Sequence, residues 1–136
     1  MDIIDLTQED LKELLTVIQQ MKEYDKIILD IGSGLQEKEI AAMTYAGRVV
    51  VVMDDSNVSE KKLEKYMAAL QAVEKQRKID ICTKMIIFYN KLMKQMQYPR
   101  QQRQIRVAGG FPKIENGTYT GIIERLAGME IIHNVK

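Results

Sequence analysis

The chain has 136 residues and a formal net charge of +1, with 46% hydrophobic and 29% charged residues. That composition describes one globular domain over residues 1–136 and excludes a chain that is disordered throughout. It also excludes a membrane helix, since no apolar run approaches ~20 residues, and it gives no global argument for nucleic acid. The opening Met1-Asp2-Ile3-Ile4-Asp5 is acidic and lacks the basic start of a secretory signal. The single cysteine, Cys82, excludes an internal disulfide and fits a reducing cytoplasm. One His and one Cys leave too few ligands for a typical structural zinc site.

The first predicted element is a helix. Leu11, Leu14, Leu15, Ile18 and Met21 recur at three- and four-residue spacing and share one face. Thr7 caps it, and Glu9 and Asp10 stand in the first turn, where the helix dipole favours anions. Ile27-Ile28-Leu29 is a short apolar run closed by Asp30 and glycines, the pattern of a strand buried on both faces. A second helix is expected over about Leu35 to Ala46, with Gly47 as its stop. The four valines Val49 to Val52 are strongly strand-forming, carry no alternation and predict a second strand in a covered parallel sheet.

Ser59 is the expected cap of a third helix, whose buried face carries Leu63, Tyr66, Met67, Leu70 and Val73. Lys84 to Asn90 reads as a third strand. Residues 92–104 are polar and Gln-rich and read as an exposed loop after a partly helical start. Ile105 to Ala108 is a short fourth strand, followed by Gly109-Gly110-Phe111-Pro112. A last helix is expected over about Thr118 to Ala127, and Glu130 to Val135 can add an edge strand. The alternation predicts an α/β fold with a mostly parallel sheet and helices on both faces.

In such sheets ligands bind beyond the C-terminal ends of the strands, which directs attention to the residues just past each one. Asp30, followed by Gly32 and Gly34, can hold Mg²⁺ through water or admit a phosphate close to the backbone. Its bland reading is an acid that caps the next helix. Asp54 and Asp55 point in different directions in extended chain; with Ser56 and Asn57 they form a turn and a helix start. Asn90 offers a donor and an acceptor suited to a base edge, or is a turn residue. Lys91, Lys94, Arg100, Arg103 and Arg106 form a basic run with no acid between them, either a solvated loop or a surface for DNA or an anionic membrane. Cys82 and His133 have no evident catalytic partner. No G-x-x-x-x-G-K-[S/T] loop occurs in the chain, so a phosphate cradle of that type is missing.

Taken in order, Tyr24-Asp25-Lys26-Ile27-Ile28-Leu29-Asp30, the valine strand, Ile86-Ile87-Phe88-Tyr89-Asn90 and Gly109-Gly110-Phe111-Pro112 resemble the C-terminal half of the MinD/ParA family of P-loop ATPases. Gly32 stands where that family usually has proline. The wording EYDKIILDIGSGL and GGFPKIENGTY is most similar to the TadZ/CpaE-like pilus-assembly branch. The resemblance implies an incomplete SIMIBI-type P-loop domain lacking the Walker A strand. It implies that Asp30, Gly32 and Gly34 serve the Mg²⁺ and phosphate side, and that Asn90, Phe111 and Pro112 hold adenine. ATP and Mg²⁺ are then cofactors of a full-length protein, and this chain alone carries none and hydrolyses nothing. The implied role is positioning or assembly of a pilus or secretion apparatus, in the cytoplasm, at a cell pole or the inner membrane face. In that family the P-loop strand lies between the Asp30-type strand and the valine strand, so its loss implies an open edge and a homodimer or strand exchange. The competing expectation is a complete, non-catalytic interaction domain that binds a protein, DNA or membrane through its basic segment. A receiver-like or flavodoxin-like domain is a third, weakened by the helix that precedes the first strand.

Overall fold

The computed structural model describes residues 7–92 and 105–113. Helix α1 spans Gln8–Met21, α2 Glu37–Tyr45, strand β1 Val49–Met53, α3 Asn57–Arg77, β2 Met85–Leu92 and β3 Arg106–Pro112; a 3-10 turn at Cys82–Lys84 leads into β2. The three strands form one parallel sheet in the order β1-β2-β3. The α/β class and the parallel sheet are therefore as the alternation of elements predicts. The expected helix at 118–127, the strand at 130–135 and most of the 92–104 loop lie outside the described residues. Among the described residues no helix is long and apolar enough to cross a membrane.

The cap of α1 is the one expected. Thr7 Oγ1 accepts from the Asp10 backbone N–H at 3.2 Å, and Asp10 Oδ2 accepts from the Thr7 backbone N–H at 2.9 Å, closing a capping box. The Thr7 hydroxyl, which donates to Asp10 Oδ2 at 2.7 Å, and then the Thr7 backbone N–H hold the Asp10 carboxyl below its ordinary value. The apolar stripe is only partly used: Leu15 is buried, while Leu14, Val17 and Met21 are exposed. Helix α1 packs on α2, and α2 is covered almost all round, with Glu39, Ile40, Ala41, Ala42 and Met43 all buried.

The core lies on one face of the sheet. Met85, Ile87 and Tyr89 of β2 pack with Ile40 and Met43 of α2, Leu63 and Leu70 of α3, Ile81 and Ile105. Val49, Val51 and Met53 join from β1 because they stand in register beside Met85, Ile87 and Tyr89. Leu70, Ile81, Ile87 and Tyr89 are fully enclosed, each side chain removing about 1.5–3 kcal/mol of apolar exposure cost. Both helices that share this core sit on that same face.

Several local expectations are corrected. Residues 27–29 are not a strand: no ladder reaches them, and Ile28 is 89% exposed. An apolar run becomes a strand only when a neighbour takes its backbone bonds, and here no described strand does. The valine strand is not covered on both faces. Its burial alternates, with Val50 and Val52 exposed; among the described residues β1 is an edge strand with α2 and α3 on one side. Ser56, not Ser59, caps α3; its Oγ accepts from the Ser59 N–H at 3.2 Å. Gly109 to Pro112 lie within β3 rather than after it.

Helix α2 ends without the glycine conformation expected there, since Gly47 takes no positive φ. Instead Lys84 Nζ donates to the carbonyls of Thr44 (2.8 Å), Ala46 (3.0 Å) and Met43 (3.2 Å). An ammonium has three donors and suits the negative end of a helix, so one side chain satisfies the orphan carbonyls.

Candidate functional site

The strand tips are built by different local chemistry. Beyond β1, Asp54 Oδ1 accepts from the Ser56 hydroxyl at 2.6 Å and the Ser56 N–H at 3.1 Å. The Ser56 hydroxyl, then Ser59, then the Ser56 backbone, with the Lys91 charge nearby, hold the Asp54 carboxyl down to about 2. This is the turn and helix start expected of that segment. Met53 is in register with Tyr89, so the tip of β1 lies beside β2 just before Asn90 and Lys91.

Asn90 and Phe111 come together at the ends of adjacent strands. Tyr89 is in register with Gly110, and the next pair is Leu92 with Pro112. Strand β2 therefore spends one more residue than β3 over this stretch, a bulge that contains Asn90 and Lys91. Lys91 adopts φ 58°, the left-handed region that a non-glycine residue enters at a cost. Asn90 is exposed. The Phe111 ring meets Phe88 edge-to-face, with centroids 4.8 Å apart and planes at 63°. Gly110 is required by the crossing: a Cβ there would lie 2.8 Å from Tyr89 Cβ, Tyr89 O and Leu92 Cδ1. Below, the Tyr89 hydroxyl donates to Glu60 Oε1 of α3 at 3.0 Å, which fixes β2 against the start of that helix.

The glycine loop is anchored elsewhere. Asp30, Gly32 and Gly34 are exposed and lead into α2. Three residues past Gly34, Glu37 forms a two-pronged pair with Arg77, at 2.7 and 2.5 Å, near the far end of α3. From Glu60 to Arg77 that helix rises about 25 Å. The structure thus sets Asn90 and Phe111 at the ends of adjacent strands and the glycine loop at the start of α2, without a described contact between the two groups.

Sequence reasoning missed Glu39. Its carboxylate is buried, its Oε2 has no hydrogen-bond partner, and the loop backbone lies over it, Gly34 closely enough that a Cβ would stand 3.7 Å from its Cδ. Burial raises the Tyr66 hydroxyl above its ordinary value and the Glu39 charge adds to this, so Tyr66 is a neighbour. The signal available in sequence is weak: a glutamate three residues after the Gln36 cap ordinarily reaches back to the helix start and stays wet.

Of the basic run, Lys91 and Arg106 are described; both are exposed, at opposite ends of the sheet, since Arg106 pairs with Ile86 near the start of β2. Lys94, Arg100 and Arg103 lie outside the described residues, as does His133. Cys82 is half-buried; burial first, then Glu74, pushes its thiol up to about 12, which leaves it protonated and a poor nucleophile. Glu74 Oε1 itself accepts from the Ile81 and Cys82 N–H groups at 2.5 and 2.6 Å. Burial pushes the Glu74 carboxyl up, but these backbone donors outweigh it and hold it below its ordinary value. Among the described residues no three His, Cys, Asp or Glu side chains gather as metal ligands.

No family model matches the chain, and no curated protein matches it.

Proposed function

We propose that this chain is a portion of a MinD/ParA-like ATPase, similar to the TadZ/CpaE-like branch, that serves the positioning or assembly of a pilus or secretion apparatus. The observation that supports the reading is the meeting of Asn90 and Phe111 at the ends of neighbouring parallel strands, on a bulge that re-aims the backbone. Open parallel sheets bind ligands at that end. When a nucleotide is bound, the Asn90 amide gives a donor and an acceptor to the base edge, and the Phe111 region gives it an apolar face. Asp30 serves the Mg²⁺ and phosphate side, with Gly32 and Gly34 admitting close approach. The phosphate cradle must come from sequence outside this chain, so hydrolysis is not expected of these 136 residues alone. Lys91 and Arg106 stand at opposite ends of the sheet, and the docking of a partner, DNA or an anionic membrane on the basic segment is the alternative reading.

The test is to read the coding DNA upstream of Met1 in frame. A strand followed by a glycine-rich loop ending in Lys-Ser or Lys-Thr supports the proposal. A stop codon and ribosome-binding site directly before Met1 overturns it. In the longer chain Asn90→Ala then weakens adenine-nucleotide binding about tenfold, the loss of one or two base-edge hydrogen bonds.

A further inference from the structure

Among the described residues Glu39 is the one buried charged side chain: it is 8% exposed, and its Oε2 has no hydrogen-bond partner. It stands at the third position of α2, after the Gln36 cap, where a glutamate ordinarily reaches back to the cap. No side-chain cap bond is made there. Instead the carboxylate faces the loop backbone. A Cβ built on Gly34 would stand 3.8 Å from Oε2, and one built on Gly32 would stand 4.0 Å from Oε1. Among the described residues no backbone hydrogen bond ends on a carbonyl of residues 30–35.

A buried carboxylate oxygen with neither a donor nor a counter-charge is costly. The described donors around α2 are engaged elsewhere. The Tyr66 hydroxyl donates to Met43 Sδ at 3.5 Å. Lys84 closes the opposite end of α2, Arg77 pairs with Glu37, and Lys38 is exposed. What faces the loop is therefore one negative charge and a set of oxygen acceptors, which excludes an anion. A divalent ion draws on several charged ligands, and among the described residues no three His, Cys, Asp or Glu side chains gather. A monovalent ion needs less charge, and neutral carbonyl oxygens can replace its hydration shell.

We infer that Glu39 and the backbone of residues 32–34 form a binding site for a monovalent alkali cation, K⁺ or Na⁺, at the start of α2. Glu39 Oε2 supplies the charge and the loop carbonyls supply neutral oxygens. Gly34 keeps the approach to Oε2 open, since a methyl group there would lie against that oxygen. The bound ion ties the loop to the helix that follows it. The site is on the side of the loop that faces α2 and does not rest on nucleotide binding.

The test is thermal unfolding of the full chain in KCl, NaCl or choline chloride at one ionic strength. Choline holds the screening constant and is too large for the site. The midpoint in KCl or NaCl is expected to stand about 4 °C above that in choline chloride, because the ion binds only the folded chain. The larger shift names the ion. Glu39→Gln keeps the shape and removes the charge. It is expected to lose the shift and, in choline chloride, to be at least as stable as the parent, since no unpaired charge is left buried. Gly34→Ala sets its methyl at ordinary contact distance in a backbone of negative φ, so it folds and also loses the shift. In the parent, backbone amide shifts titrated with the favoured salt should saturate over residues 32–39, and either variant should need about tenfold more salt. Equal midpoints in the three salts overturn the inference. So does a salt-specific shift that Glu39→Gln retains, or amide changes confined to other parts of the chain.

Discussion

Residues 27–29 and 49–52 are near twins as sequence. Each is a short apolar run rich in β-branched residues that follows a helix and ends in aspartate within a residue or two. Val49–Met53 is a strand with three of its five side chains packed against the core; residues 27–29 are irregular, and Ile28 stands 89% in solvent. The difference is not in propensity. The valine run has β2 beside it in register and α2 and α3 over it, whereas among the described residues the isoleucine run has no strand beside it to take its backbone bonds. Local sequence writes the wish to be a strand, and tertiary pairing grants it.

The sharpest way to break that comparison is to truncate one side chain in each region. Ile87→Ala removes a fully buried side chain beside Val51 and should cost about 3 kcal/mol, read by urea unfolding. Ile28→Ala should stay within about 0.5 kcal/mol of the parent. Equal losses would mean that the isoleucine run is packed after all. Next in size is Gly110→Ala. The new Cβ meets backbone and side-chain atoms at 2.8 Å, so a loss of about 2 kcal/mol is expected, with disturbance confined to the β2–β3 crossing as seen in backbone amide shifts.

Smaller again is Lys84→Met, which keeps the aliphatic stem and deletes the ammonium. Three carbonyls at the end of α2 lose their donor, for an expected 1–2 kcal/mol, roughly, in the same unfolding assay. The smallest effect is the acid dependence at the end of the valine run. The Asp54 carboxyl in the folded chain lies at about 2, below its ordinary value, so its contribution is present above the ordinary range and is lost as pH falls toward 2. The melting-temperature gap between the parent and Asp54→Ala should therefore be constant from pH 7 to about pH 5 and close steadily below about pH 4. A gap that does not change with pH would remove the carboxylate from the turn.

Much of the fold was legible. Thr7 with Asp10 announces the first helix, and the Leu63–Leu70 spacing announces the third. The order of apolar runs announces a parallel sheet. What was not legible depended on non-local partners: the fate of residues 27–29, the one-sided cover of β1, and the donor at the end of α2, supplied from a lysine 38 residues beyond Ala46 rather than by Gly47. For the candidate site, Asn90 and Phe111 could be marked as strand-end residues, but not the bulge that throws Lys91 to φ 58°. Glu39 was invisible because its pattern is that of a wet helix start, and it is non-local neighbours, the glycine backbone over it and Tyr66 of α3 beside it, that a local pattern does not carry.

The Lys84 clamp has a consequence for the phase of the sheet. Four successive valines are degenerate: sliding β1 by two residues along β2 would keep every valine on its proper face and cost little in packing. A short apolar repeat of this kind has several near-equal alignments. Lys84 immediately precedes β2, and Ala46 lies three residues before β1, so tying one to the other sets the first tooth of the zipper, Val49 against Met85. Without that tie the valine strand still has somewhere to go, but more than one place to stop.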